Sequence, residues 1–206
     1  MKIVDCTQGT EEWHRARSGI PTASEFHTVL AKGKGGGDSK TRRTYLYKLA
    51  GEIITGEPAE SYKNYHMERG NAMEPEARAM YAFMHNVDPQ LVGFATNDEG
   101  TAGASPDSLI GDVGALEIKT KLPSLVIEQI LSGDFPSEHV AQCQGVLWIT
   151  GREWIDVAIY WPKLPLFVKR AYRDATYIRT LASAVAAFNE ELAEIVEKVR
   201  RYQEAA

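Results

Sequence analysis

The sequence predicts a mixed α/β (α+β) protein, and three observations carry that class. Capped helical segments fill the first third, short apolar runs punctuated by Gly and Asp fill the middle, and one long apolar repeat in steps of three and four closes the chain. At 206 residues the chain can bury a real core, and residues 1–206 read as one domain. Its 44% hydrophobic and 25% charged content excludes disordered and fibrous classes. A net charge of −5 argues against a generally basic DNA-coating protein, although local basic clusters can still meet phosphate.

Taken in order, Thr10 with Glu11 and Glu12 starts a short helix carrying Trp13, His14, Arg15 and Arg17, which Gly19 stops. Thr22-Ala-Ser-Glu25 has capping-box spacing ahead of a second helix whose buried stripe is Phe26, Val29 and Leu30, ended by Gly33. The glycines of residues 33–40 cannot hold one conformation cheaply. With Lys32, Lys34, Lys40, Arg42 and Arg43 in or beside them, the segment reads as a mobile basic loop that meets DNA phosphates. A third helix is expected at about 41–55, burying Leu46, Leu49, Ile53 and Ile54 and closed by Gly56. A fourth, around 67–84, contains Pro75, which must sit in a first turn or kink the helix after Glu74.

The period then changes. Residues 91–95, 101–104, 108–110 and 116–120 read as the strands of a β-meander. Residues 138–149 return to helix through Val140, Cys143 and Leu147, and 152–161 alternate with Ile155, Val157, Ile159 and Trp161 on one face. Asp174 can cap a long C-terminal helix at about 174–203, with Ile178, Leu181, Val185, Phe188, Leu192, Ile195 and Val199 at a period of 3.5. Cys6 and Cys143 are too few for a disulfide framework and read as reduced thiols. No run approaches a membrane span and the N-terminus lacks the apolar core of a signal peptide, so no membrane association and a cytoplasmic location are expected.

The chemistry concentrates in Ser105-Pro-Asp107, nine intervening residues, and Glu117-Ile-Lys119. Strand alternation puts Glu117 and Lys119 on one solvent-facing side while Leu116 and Ile118 turn to the core. The Gly111-Asp-Val-Gly114 turn returns the strand of Asp107 antiparallel beside Glu117, so two carboxylates and an amine converge. Hard carboxylate oxygens suit Mg²⁺ or Mn²⁺, and the amine can hold a water or stabilise the transition state of phosphodiester hydrolysis. The five histidines form no i,i+4 pair that would suit zinc, and no P-loop, dinucleotide fingerprint or nucleophile elbow is present.

In four ordered blocks the sequence resembles the phage lambda-type alkaline exonucleases, a viral recombination branch of the Pro-Asp…Glu-x-Lys nucleases. The blocks are Trp13-His-x-x-Arg17-x-Gly19 with Thr22-Ala-Ser-Glu25; Gly70-x-x-x-Glu74-x-x-Ala-Arg78; Ser105-Pro-Asp107…Leu116-Glu-Ile-Lys119; and Ala141-Gln-Cys-Gln144 with Trp148. The resemblance implies a central mixed β-sheet flanked by helices, a restriction-endonuclease-like nuclease core. It implies Mg²⁺-dependent digestion of one strand of linear double-stranded DNA from its 5′ end, often in a ring-shaped homo-oligomer; Asp107, Glu117 and Glu74 supply enough oxygen ligands for two ions, and the single strand left behind suits a single-strand annealing protein as partner. Carried over residue by residue, it implies that Asp107, Glu117, Glu74 and the Ile118 carbonyl hold metal and that Lys119 is the catalytic lysine. Arg17, Ser24, Ser105 and Gln144 would surround the 5′-terminal phosphate. Gln144 could equally be a buried amide tying helix to sheet, with Gln142 its nearest rival.

Two other classes fit parts of the pattern. An endonuclease of the same superfamily would not depend on a terminal phosphate, and a non-catalytic DNA-end-binding module would not need Asp107, Glu117 and Lys119 together.

Overall fold

The computed structural model describes residues 1–33, 35, 39–59 and 65–204. Lys34, Gly36, Gly37 and Asp38, and with them most of the expected mobile basic loop, lie outside the described residues. Helix α1 spans Glu11–Arg17, and the Thr10 hydroxyl accepts the Trp13 N–H at 3.4 Å, as its cap. The next helix is shorter than the capping-box spacing implies: one 3₁₀ turn, Ala23–Glu25, leads into α2, Phe26–Val29. Thr22 makes no capping bond; its hydroxyl instead accepts from Arg17, while Glu25 accepts from Thr28.

Helix α3 covers Lys40–Thr55, starts under a Ser39 cap and ends at Gly56, whose φ of 72° an L side chain resists. It buries Tyr45, Leu46, Leu49, Ala50 and Glu52. Ile53, expected inside, is exposed at the rim, where it leans over Gly19; a Cβ there would sit 2.6 Å from its Cγ1. Helix α4, Tyr65–His85, continues through Pro75. The missing N–H leaves the Asn71 carbonyl without its helical partner, and both residues are exposed, so water can serve that oxygen.

The expected meander is divided between two sheets. Strands β1 (Lys2–Val4), β3 (Phe94–Thr96) and β4 (Gly103–Ala104) form a small antiparallel sheet. Strands β2 (Pro89–Gln90), β5 (Ser108–Ile110), β6 (Gly114–Thr120), β7 (Trp154–Tyr160) and β8 (Phe167–Tyr172) form the large one, in that order. Pro106, between β4 and β5, has no N–H to continue a ladder, and the chain changes sheets there. β5 and β6 pair antiparallel with Ser108 opposite Leu116, whereas β6 and β7 are parallel with Glu117 opposite Val157. The parallel connection runs through α5 (Pro123–Ser132) and α6 (Val140–Thr150).

Helices cover both faces of this mixed sheet. Leu116 and Ile118 pack with Ala77 and Tyr81 of α4, while Ala115, Ile155, Val157 and Ile159 pack with the other helices in the main core. Helix α7, Ala175–Glu204, is capped by Asp174 Oδ1, which accepts the Thr176 and Tyr177 N–H groups at 2.8 and 2.9 Å. Its buried stripe ends on Val196 rather than on Ile195 and Val199, since a straight helix drifts away from a strict 3.5 period. Among the described residues no helix is long and apolar enough to cross a membrane.

Candidate active site

The hairpin of β5 and β6 brings Asp107 to Glu117, as the motif spacing predicts. Asp107 Oδ2 accepts the backbone N–H of Ile118, which ties the carboxylate to the next strand. Glu117 Oε1 accepts from Lys119 Nζ at 2.7 Å and from Gln142 Nε2 at 2.5 Å. Its expected solvent-facing position is corrected: Glu117 is only 3% exposed, because α6 lies over this face of β6. Burial, then the charges of Glu117 and Glu74, pushes the Asp107 carboxyl well above its ordinary range. Burial pulls the Lys119 ammonium down, but Glu117 and Asp107 outweigh it and the net shift is upward. Two carboxylates and a cation therefore share a poorly hydrated space.

Among the described residues, Glu117 Oε2 is buried and has no hydrogen-bond partner. An orphaned carboxylate oxygen beside a second carboxylate whose ionised form is disfavoured is a donor set that a hard divalent cation fits. Glu74 faces the same cleft with Asp107, Gln8 and Cys6, but its carboxylate is bound by Arg78, one turn on in α4. Among the described residues, no three His, Cys, Asp or Glu side chains are gathered as a ready metal cage.

Arg17 lies in the last turn of α1 and reaches three hydroxyls: Nη1 donates to Ser105 Oγ at 3.0 Å, and Nη2 to Thr22 Oγ1 at 3.1 Å and Ser24 Oγ at 3.5 Å. Its guanidinium stacks 4.3 Å from the centre of the Trp13 ring, and Trp13 Nε1 also donates to Ser105 Oγ, at 2.9 Å. Burial lowers the Arg17 pKa, against the pull of Tyr45 and the carboxylates of Glu25, Glu52 and Glu117, yet a guanidinium stays charged. The pocket also receives His14, Lys48 and Glu52. Glu52, which the sequence reading left out, accepts the N–H of Gly19 at 2.7 Å and of Ala59 at 3.1 Å, bracing the chain that leaves α1.

Two expected positions change. Gln144 is buried and its amide is engaged elsewhere: it donates to the Tyr172 carbonyl and accepts from the Asp174 N–H, both at 2.9 Å, joining α6 to the β8–α7 junction. Gln142 is the glutamine at the carboxylates. Arg42 makes a bidentate pair with Glu191 of α7 at 2.8 Å for each contact, so its charge is compensated within the fold. Lys40 and Arg43 remain on the exposed face of α3, and Lys34 lies outside the described residues.

A family profile for a YqaJ-like viral recombinase domain matches residues 12–153. An alkaline exonuclease from Laribacter hongkongensis is similar over 95% of this chain and 99% of its own, with 34% identity and a TM-score of 0.86. A structure of that exonuclease in complex with dAMP gives 34% identity and a TM-score of 0.87 over 96% of this chain and 100% of its own. A phage-related exonuclease from Haemophilus somnus 129PT shares the fold, at 13% identity and a TM-score of 0.67 over 87% of this chain and 96% of its own. No curated protein gives a significant match.

Proposed function

The chain belongs to the YqaJ-like viral recombinase family, a nuclease family consistent with the lambda-type exonucleases, and from that membership and the geometry above we propose how this DNA exonuclease works. It degrades one strand of linear double-stranded DNA in the 5′-to-3′ direction by Mg²⁺-dependent phosphodiester hydrolysis. The observation that supports this most is the pairing of a buried, half-satisfied carboxylate, Glu117, with Asp107 and Lys119 next to a second pocket built around Arg17.

Asp107, Glu117 and the Ile118 carbonyl would hold a divalent cation, with Glu74 completing the donor set for a second; Mg²⁺ is the natural ion and Mn²⁺ a substitute. Such ions take up phosphate charge and acidify a water. Gln142 and Lys119 fix Glu117 Oε1, which leaves Oε2 as the free ligand. Lys119, held as an ammonium by two carboxylates, stabilises developing negative charge on the phosphate. Arg17, with Ser24 and Ser105, binds the 5′-terminal phosphate, and Lys34, Lys40 and Arg43 contact the duplex backbone. The reading extends to a ring-shaped homo-oligomer, a single-strand annealing partner and action in the cytoplasm of a bacterial or phage-infected cell.

The experiment compares linear and covalently closed circular duplex DNA, with the linear form carrying a 5′ phosphate or a 5′ hydroxyl, in Mg²⁺ and in Ca²⁺. Expected are release of label from phosphorylated linear ends in Mg²⁺, no cutting of circles, and binding without cleavage in Ca²⁺, whose looser coordination spoils the geometry. Cutting of circles as fast as linear DNA would replace this reading with an endonuclease.

A further inference from the structure

Arg78 belongs to the same sequence block as Glu74, and nothing in the reaction above uses it. Its side chain is only 16% exposed and addresses two elements at once. On α4, Nη2 donates to Glu74 Oε1. Toward β5, Nε donates to Ser108 Oγ at 3.0 Å and Nη2 reaches the Asp107 carbonyl at 3.4 Å. Ser108, fully buried, donates to that same carbonyl at 2.6 Å. Arg78 thus grips Asp107 directly and through Ser108 while holding the carboxylate of Glu74.

We infer that Arg78 is a positioning residue for the divalent-cation site, fixing Glu74 on α4 and Asp107 at the start of β5 at one separation. Asp107 and Glu74 lie on elements that no short stretch of chain connects, and whenever both are ionised, as metal ligands must be, their repulsion tends to part them. A planar guanidinium opposes this with fixed directions: its N–H groups leave in one plane and meet acceptors on both elements, which a single ammonium on a flexible stem cannot do. Groups that orient metal-binding carboxylates from behind commonly change metal affinity by about 10–100-fold when removed. This inference rests on the metal-dependent reading above.

Calorimetric titration of Mn²⁺ into the DNA-free protein tests it with Arg78→Gln and Ser108→Ala. On charge alone, removing a cation beside carboxylates should tighten Mn²⁺ binding; positioning requires the opposite, a weakening of about tenfold or more. Ser108→Ala, which removes only the relay to the Asp107 carbonyl, should weaken binding less and in the same direction. Metal-free DNA affinity should stay at the wild-type value in both. Mn²⁺ binding by folded Arg78→Gln as tight as, or tighter than, wild type overturns the inference. If Arg78→Gln does not fold, an unchanged affinity in Ser108→Ala overturns it. Wild-type protein that takes up no Mn²⁺ sinks the metal reading itself, an outcome visible before any variant is compared.

Discussion

Ser105 and Asp107 stand on either side of Pro106 and serve different sites: Ser105 Oγ accepts from Arg17 and Trp13, whereas the Asp107 carboxylate accepts from the Ile118 N–H. Two residues of chain span at most about 7 Å, so the Arg17 pocket and the carboxylates are held within a short, nearly fixed distance. Pro106 limits the backbone freedom between them. A terminal phosphate seated on Arg17 would thereby place a nearby bond of the same strand over Asp107 and Glu117.

Arg17→Ala is therefore expected to reduce cleavage of 5′-phosphorylated ends much more than of 5′-hydroxyl ends. The check is initial rates on matched phosphorylated and dephosphorylated duplexes. An intact preference in a folded Arg17→Ala protein would mean that the guanidinium only joins α1 to Ser105 and Thr22.

Glu117→Gln keeps an acceptor for Lys119 and Gln142, so the protein should fold, while cleavage should fall by about 10²-fold or more. Lys119→Ala should lose a comparable factor in rate while still binding Mn²⁺. Glu117→Ala is a worse test, because its buried position would leave two donors without an acceptor. Near-wild-type turnover in Glu117→Gln, with circular dichroism showing a native fold, would refute the assignment.

The two glutamines of α6 should separate function from stability. Gln142→Ala is expected to slow cleavage with little change in melting temperature, since Gln142 serves Glu117. Gln144→Ala should leave the Tyr172 carbonyl and the Asp174 N–H unpaired and destabilise the fold by about 1–3 kcal/mol, with the activity of the folded fraction unchanged. Denaturant titration beside rate measurements decides between them, and the reverse pattern would return Gln144 to the site.

His139, at the start of α6, has its pKa lowered to about 4 by burial, then by Lys119, with Lys121 and His27 adding to it. Glu138, 3.8 Å away, pulls the other way and is outweighed. The folded protein thus prefers the neutral ring, whose stabilising contribution is full above the ordinary value of 6.5 and is lost as pH falls toward 4. His139→Gln should flatten the fall in melting temperature between those limits. An unchanged acid limb would show that His139 is protonated in the fold.

What the sequence determined by itself was local. Thr10 and Asp174 as caps and Gly56 as a stop depend on neighbours within a turn, and the approach of Asp107 to Glu117 depends on one tight hairpin. Helix α5 and strand β8 were not among the expected elements, although Pro123 at the start of α5 and Gly133 just past its end, with φ 64°, mark that helix locally. The tertiary structure decided whatever depended on distant chain. Helix α6 is apolar on most of its surface and almost wholly buried, so its periodicity points to no single face and could not tell Gln142 from Gln144. The burial of Glu117 follows from α6 lying over β6, and the neutralisation of Arg42 from Glu191, 149 residues away. Local patterning records which backbone conformation a segment prefers, whereas the partner of a buried polar atom is set by whichever element packs against it. The buried, unpartnered oxygen that Glu117 shows among the described residues and the brace that Arg78 makes between α4 and β5 exist only once those elements have met.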